Sequence, residues 1–410
     1  METNSVIYSI PYLTYMLLFI GLIFWEFRCL KYDQDTRLIR YATLFIYVFF
    51  FGFRGFVYTD WYQYYTLFDN LPTIWDNGFA GLQNDVVMEA FETDISLGVS
   101  GIEPGFLYLT IFLKSIVPDY FVWVFLNTLF DAWMLHNFIK RYSPYYALGF
   151  LLFFVFGGLI IQINLMRNIK AMFLFLFSLK YLEERRMLPY MLINAIGLLF
   201  HSTAIVFFPL YFILHKPFPR WISWSIFGLG LLTALLRIQY LQPVLLWIAD
   251  IIGGRLSVQI KLYFAVDFYS QSYGLSLGFI ERIVTYVIIL LNQEKLIQQN
   301  RSNTIFINAY ILYFIVFFYF SEVMVVVERL SLLFVFSYWI LYPALIRLVK
   351  ETFNKSLLMF LMLIYCAMKL VVMNSNIFTK YDNLLFGIES FEDRNKTRYN
   401  YLDQFREVDE

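Results

Sequence analysis

The hydrophobic pattern of the chain is a series of long, continuous apolar runs from Tyr8 nearly to Met373. A run of about 20 apolar residues can cross the hydrocarbon core of a bilayer as a helix. The runs do not alternate between apolar and polar positions, so helices are expected and not a membrane β-barrel. The pattern therefore predicts an all-α polytopic membrane protein with about ten transmembrane helices. The predicted spans are about Ile7–Phe27, Tyr41–Val57, Tyr120–Ile139, Tyr145–Ile163, Asn168–Leu182, Trp221–Leu236, Leu277–Leu291, Thr304–Phe320, Leu330–Ile346 and Leu357–Met373.

Two further apolar stretches do not have the length of one span. The stretch after Pro104 is short, and a full crossing there would move Lys140 and Arg141 to the outside. Because basic residues favour cytoplasmic loops, we expect a re-entrant helix that opens at Glu103 and Pro104. Residues 188–214 would make one helix of about 40 Å, but a single crossing there would put Lys216 and Arg220 outside. We therefore expect a broken hairpin with both ends cytoplasmic and His201 near its tip.

The distribution of basic residues sets the orientation. The loop 28–40 carries four basic residues and is predicted to be cytoplasmic, which puts both termini outside. Residues 55–113 contain no lysine or arginine and fit an outer location. We expect one integral membrane domain over residues 1–373, with outer-face excursions at 55–119 and 237–278. The polar tail 374–410 carries mixed charge late in its length, which predicts a solvated or disordered segment.

Composition supports the membrane class and excludes others. The 410 residues are 60% hydrophobic and 15% charged, against about 25% charged in soluble chains. The formal net charge is zero, so nothing favours a nucleic-acid partner. Cys29 and Cys366 lie in or beside predicted spans, without metal-ligand spacing and with no sign of a disulfide. No cofactor fingerprint or dedicated metal cluster is present, so neither a cofactor nor a metal is expected.

Several charged residues fall at or near the outer face under this topology. Arginines on that side are unfavourable unless they meet an anionic partner, and the guanidinium fork suits phosphate and carboxylate. The alternative is pairing within the protein, since intramembrane charges usually have a partner. The residues concerned are Arg54, Asp60, Glu103, Arg167, Arg255, Glu281, Arg282, Glu322, Glu328 and Arg329.

Five segments, in this order, resemble the EpsG family of Wzy-like bacterial polysaccharide polymerases. They are GFRGFVYTDWYQYY (52–65), EPGFLYL (103–109), QINLMRNIKAMFLFLFSLKYLEE (162–184), LLFHSTAIVFFPLYFIL (198–214) and RLSVQIKLYF (255–264). One departure is Asn168, where the family more often has glutamine. The resemblance implies a Wzy-like, GT-C-like membrane fold in the bacterial plasma membrane.

The resemblance also implies a reaction. Oligosaccharide repeat units carried on undecaprenyl diphosphate would be joined at the outer face of the membrane, for exopolysaccharide, capsule or O-antigen. The expected partners are the lipid-linked oligosaccharide, membrane lipids, a chain-length regulator and other polysaccharide-synthesis proteins. The alternatives are a ligase that moves a completed glycan from the same carrier, and a transporter or flippase.

The chemistry of this reaction suggests roles for the outer charges. Positioned arginines can neutralise the charge that develops on a departing diphosphate, which leads us to expect metal-independent transfer. The predicted diphosphate-binding residues are Arg54, Arg167, Arg255 and Arg329. A general base must deprotonate the acceptor hydroxyl, and the candidates are His201, Asp60 and Glu103.

Overall fold

The computed structural model is helical throughout the part of the chain that it describes. It describes residues 4–77, 102–236 and 276–406, and between them residues 238, 240–254, 257, 258, 261 and 264. Within these ranges the only β-type pairing is three isolated bridges, so the predicted all-α class is confirmed there.

The helices are numbered here along the described chain. They are α1 Ile10–Lys31, α2 Arg37–Gly52, α3 Trp61–Asn70, α4 Ile74–Asn77, α5 Pro104–Ile116, α6 Tyr120–Tyr142, α7 Tyr146–Phe153, α8 Leu159–Ile163, α9 Met166–Glu183, α10 Met187–Leu198, α11 Phe207–Ile213, α12 Arg220–Leu236, α13 Leu241–Ile252, α14 Leu277–Leu291, α15 Gln293–Gln299, α16 Asn303–Tyr319, α17 Met324–Leu332, α18 Phe336–Leu348, α19 Thr352–Met373 and α20 Phe391–Arg406.

Among the described residues, three helical segments are long and apolar enough to cross a membrane by themselves. They are Val6–Lys31, Tyr146–Ile163 and Thr352–Met373. Two bent helix pairs raise the number to five if each pair is one span. The chain is therefore a helical membrane protein, while the count of about ten spans stays a prediction.

The described residues form two compact units, Met1–Tyr211 with Glu351–Glu410, and Phe212–Lys350. In the first unit, α9 packs against α6 and α10. A buried ion pair joins α6 to α9: Asp131 Oδ1 lies 2.6 Å from Lys170 Nζ, and both side chains are 1% exposed. Gln162 Nε2 donates to Asp131 Oδ2 at 2.9 Å, and the Tyr47 hydroxyl donates to Gln162 Oε1 at 2.6 Å. This network ties α2, α6, α8 and α9 together.

The predicted broken hairpin at residues 188–214 is confirmed. Helix α10 ends at Leu198, and a 3₁₀-helix, Ser202–Val206, leads into α11. The second arm returns to α10, since the Tyr190 hydroxyl donates to Phe207 O at 2.6 Å. His201 lies at the tip, between the two arms.

The expectation of a solvated or disordered tail is wrong as to disorder for residues 374–398, which are folded, whereas Glu392, Asp393 and Lys396 are exposed as expected. The Tyr12 hydroxyl donates to Thr379 O at 2.6 Å, and the Tyr58 amide donates to Phe378 O at 2.8 Å. The ring of Phe391 lies against Tyr65, with centroids 4.5 Å apart. This segment is therefore folded against α1, α3 and the residues between α2 and α3, which the composition of the tail does not indicate.

Arg394 holds the two parts of the tail together. Its side chain is 3% exposed. Nη2 donates to Phe378 O at 3.2 Å and Lys380 O at 2.9 Å, and Nη1 donates to Glu389 Oε2 at 3.2 Å. Burial raises the pKa of Glu389, but hydrogen bonds from Lys380 and Arg394 outweigh it and leave that pKa below its usual value.

The second unit surrounds helix α16, most of whose side chains are buried. Glu281 accepts from the Tyr342 hydroxyl at 2.7 Å and from Thr285 Oγ1 at 2.8 Å. Glu322 accepts three main-chain N–H groups at residues 240–242, where α13 begins. Each of these two acids is therefore hydrogen-bonded within the protein, Glu281 to side-chain hydroxyls and Glu322 to main-chain amides.

We predict that Arg394→Met destabilises the first unit, whereas Lys396→Met on the same helix does not. Arg394 is buried and hydrogen-bonded, whereas Lys396 is exposed. Loss of charge-assisted bonds to buried acceptors should cost about 2–3 kcal/mol. The midpoint of thermal unfolding in detergent, followed by intrinsic fluorescence, measures this. Equal midpoints for the two variants would contradict the role of Arg394.

Candidate functional site

Four segments of the first unit meet at one cluster of polar side chains. They are the turn before α3, the start of α5, the turn before α9 and the tip of the hairpin. The cluster brings together four of the residues predicted from sequence: Asp60, Glu103, Arg167 and His201. Hydrogen bonds and an ion pair between residues far apart in the sequence define this cluster.

Glu103 precedes helix α5, which begins with Pro104 as predicted. The Glu103 side chain does not cap its own helix. Its Oε2 lies 2.7 Å from Arg167 Nη1, and its Oε1 accepts the Ser202 amide at 3.0 Å. One carboxylate therefore joins α5 to α9 and to the hairpin tip.

Gly105 allows this close approach. Its amide donates to Leu199 O at 2.7 Å, and an added Cβ would lie 2.6 Å from that same oxygen. Contacts this short with a main-chain atom require the backbone to move. The absence of a side chain at residue 105 is therefore a condition for the contact between Glu103 and Ser202.

Arg167 lies in the first turn of α9, an 18-residue helix that begins at Met166. Cations are unfavourable at a helix N-terminus, because the helix dipole is positive there. The Glu103 carboxylate compensates the positive charge of Arg167. The Glu103 side chain is 16% exposed and the Arg167 side chain is 19% exposed. The helix end and the guanidinium together make this the part of the cluster that favours an anion.

His201 caps the 3₁₀-helix that follows it. The Thr203 amide donates to His201 Nδ1 at 3.2 Å, and Thr203 Oγ1 lies 2.9 Å from the same atom. A main-chain N–H can only donate, so Nδ1 is the accepting nitrogen and the proton of a neutral ring is on Nε2. In this tautomer Nδ1 is engaged as an acceptor and Nε2 carries the proton.

Asp60 ends a turn that is anchored to the residues before α9. Asn164 Oδ1 accepts the Thr59 and Asp60 amides at 3.3 Å each, and Asn164 O accepts the Tyr64 hydroxyl at 2.8 Å. Burial raises the pKa of Tyr64 to about 12, against the opposing charge of Arg167. The hydroxyl therefore stays protonated at neutral pH and can donate this bond.

The other predicted arginines are placed differently. Arg54 is buried, with contacts from its guanidinium to Phe51 O, Gln162 O and Met166 Sδ. Arg54 therefore contacts residues that come shortly before Arg167 in the sequence. Binding of a ligand by Arg54 stays a prediction. Arg329 is exposed on α17 in the second unit, and Arg255 lies outside the described residues.

Sequence reasoning missed three members of the cluster: Asn164, Tyr64 and the Ser202 amide. Asn164 is a polar residue between the apolar residues Ile163 and Leu165, and this position could have been noticed in the sequence. Tyr64 was visible only as one of several aromatic residues. The Ser202 amide carries no signal in the sequence, because its role depends on the hairpin tip reaching Glu103.

A family model described as the EpsG family matches residues 37–383. The chain belongs to the EpsG family. No curated protein and no solved structure matches it. EpsG membership confirms the resemblance drawn from the motifs and indicates a membrane enzyme of polysaccharide biosynthesis, of the exopolysaccharide polymerase type.

In this EpsG-family chain, the matched region contains all seven site residues predicted from sequence. Across the described ranges, no group of three or more His, Cys, Asp and Glu side chains is arranged to hold a metal ion. The expectation of metal-independent chemistry remains a prediction, to be tested directly.

We predict that Gly105→Ala destabilises the first unit, because the new methyl group would overlap Leu199 O and push α5 from the hairpin tip. Gly21→Ala is the matched control, since an added Cβ at residue 21 in α1 has no atom within 4 Å. The control should be neutral or stabilised by up to about 1 kcal/mol. Unfolding midpoints in detergent measure both. A Gly105→Ala midpoint at or above that of the parent would contradict the close contact.

Proposed function

We propose that this protein polymerises oligosaccharide repeat units carried on undecaprenyl diphosphate. The nascent glycan would pass from its lipid diphosphate to a hydroxyl of the next lipid-linked unit. Membership of the EpsG family supports the general class. The observation that carries the specific proposal is the cluster in which Arg167, at the N-terminus of α9, lies with Asp60, Glu103 and His201.

Arg167 would bind the diphosphate. Its guanidinium has five N–H donors in a planar fork, a geometry that suits phosphate oxygens as well as the carboxylate of Glu103. The positive end of α9 adds to the same potential. As the bond from the sugar to the diphosphate breaks, negative charge grows on the leaving oxygen, and a fixed cation lowers the barrier. Arg255 remains a second candidate from the sequence.

Asp60 is the proposed general base. Both oxygens of Glu103 already accept bonds, from Arg167 and from the Ser202 amide. His201 Nδ1 accepts the Thr203 amide, which suits hydrogen-bond donation from Nε2 better than proton removal. Asp60 is half-buried beside Tyr64, and its Oδ1 accepts the Thr59 hydroxyl at 2.9 Å. A carboxylate within reach of the acceptor hydroxyl could take its proton in the transition state.

The bonds then balance in one transfer. The acceptor oxygen forms a bond to the anomeric carbon as the bond from that carbon to the diphosphate oxygen breaks. The proton of the acceptor hydroxyl moves to Asp60, and undecaprenyl diphosphate leaves as the anion. We propose that this occurs at the outer face of the bacterial plasma membrane, with both termini outside, and that a chain-length regulator acts as a partner.

We expect the purified protein, reconstituted with one lipid-linked repeat unit in EDTA, to give a ladder of products on a gel. Arg167→Ala should lower the rate by about 100-fold, because one fixed charge at the leaving group is lost. Arg141→Ala is the control, since Arg141 forms a surface pair with Glu183 at 2.8 Å. Asp60→Asn should be inactive, whereas His201→Gln should retain measurable polymerisation.

Each contrary outcome identifies a different error. A single transfer product would indicate a ligase. Activity that returns only with magnesium would exclude the metal-independent mechanism and leave the polymerase assignment intact. An active Asp60→Asn with an inactive His201→Gln would reverse the assignment of the base. No product from folded protein with several donor units would favour a transporter.

A further inference from the structure

Asn164 makes four bonds to the segment that carries Asp60. Its Oδ1 accepts the amides of Thr59 and Asp60 at 3.3 Å each, and its Nδ2 donates to Thr59 Oγ1 at 3.0 Å. Its main-chain oxygen accepts the Tyr64 hydroxyl at 2.8 Å. A single residue thus holds both the turn and the first part of α3. The partners lie 100–105 residues away in the sequence.

The directions of these bonds fix the position of a proton. Asn164 Nδ2 can only donate, so Thr59 Oγ1 accepts from it. The Thr59 hydroxyl then has its own proton to give, and it donates to Asp60 Oδ1 at 2.9 Å. Two successive side-chain hydrogen bonds therefore connect Asn164, through Thr59, to the Asp60 carboxylate. They orient that carboxylate and stabilise its ionised form.

The backbone next to these hydrogen bonds is in an unfavourable conformation, which the hydrogen bonds stabilise. Tyr58, directly before Thr59, has a φ of 68°, in the left-handed region that costs a non-glycine residue energy. The Tyr58 hydroxyl donates to Asn374 Oδ1 at 2.8 Å, which holds this conformation from one side. Asn164 holds the same turn through the next residue, Thr59. Asn164 itself lies three positions before Arg167 in the sequence.

We propose that Asn164 and Thr59 are positioning residues that hold Asp60 at a fixed place beside the start of α9. Neither acts on the substrate. Asn164 holds the turn against the start of α9, close to Arg167. The Thr59 hydroxyl, held by Asn164, then orients the Asp60 carboxylate through its own hydrogen bond. The part of this proposal that concerns catalysis rests on the proposed function, whereas the placement of the turn does not.

The placement is tested by amide hydrogen exchange of the folded protein in detergent. Asn164→Ala removes the acceptor for the Thr59 and Asp60 amides, and their exchange should accelerate by about tenfold or more. Asn164→Asp keeps an acceptor oxygen at that place and should keep most of the protection. Unchanged exchange at residues 59 and 60 in a folded Asn164→Ala variant would overturn the proposal.

The catalytic part is tested with a matched pair at Thr59. Thr59→Val removes the hydroxyl and keeps the shape, so turnover should fall about tenfold while the KM for the lipid-linked unit changes little. The acidic limb of the pH profile should move to higher pH, because a carboxylate that loses a donor binds its proton more tightly. Thr59→Ser restores the hydroxyl and should restore both turnover and the profile.

The two failures are distinguishable. A parent protein that makes no polymer would overturn the proposed function, and the exchange experiment would still decide the placement. If the parent is active and Asp60→Asn is inactive, then a Thr59→Val variant with the parent's turnover and pH profile would overturn the positioning role of the hydroxyl.

Discussion

Helix α9 lies in the interior of the first unit with Lys170 fully buried, and that is possible only because Asp131 neutralises the ammonium. An unpaired charge in such a place would cost several kcal/mol. The pair fixes α9 against α6, and Lys170 is one turn beyond Arg167 on the same helix. The position of the guanidinium at the candidate site therefore depends on an ion pair that has no contact with the outside of the molecule.

The candidate site then forms where elements approach α9 closely. Glu103 reaches Arg167 because helix α5 begins at Pro104 and because Gly105 lies directly against Leu199. At the other end of α3, Lys114 Nζ donates to the main-chain oxygens of Phe68 and Leu71, so α3 is fixed at its end as well as at its beginning. Each contact is polar. A displacement of one element would be passed to the others.

The sequence predicts the parts of this arrangement that depend on local rules. The opening of α5 follows from proline chemistry, and the break at His201 follows from a segment too long for one span. The contacts of Asn164 and the folded tail depend on partners far apart in the chain. Arg394 shows the difficulty, since a charged residue in a polar tail suggests solvent exposure. It is buried because its donors meet main-chain oxygens, and composition does not contain that information.

The folded tail also sets an order of events during synthesis. The Tyr58 hydroxyl bonds a side chain 316 residues later, and Phe50 O accepts a hydroxyl 331 residues later. Contacts that close such long loops form slowly and late. The turn that carries Asp60 is therefore completed only after residues 374–381 have been synthesised. A partly synthesised chain would already contain Arg167, Asp60 and Glu103. It would lack the contacts with the tail that fix the turn carrying Asp60.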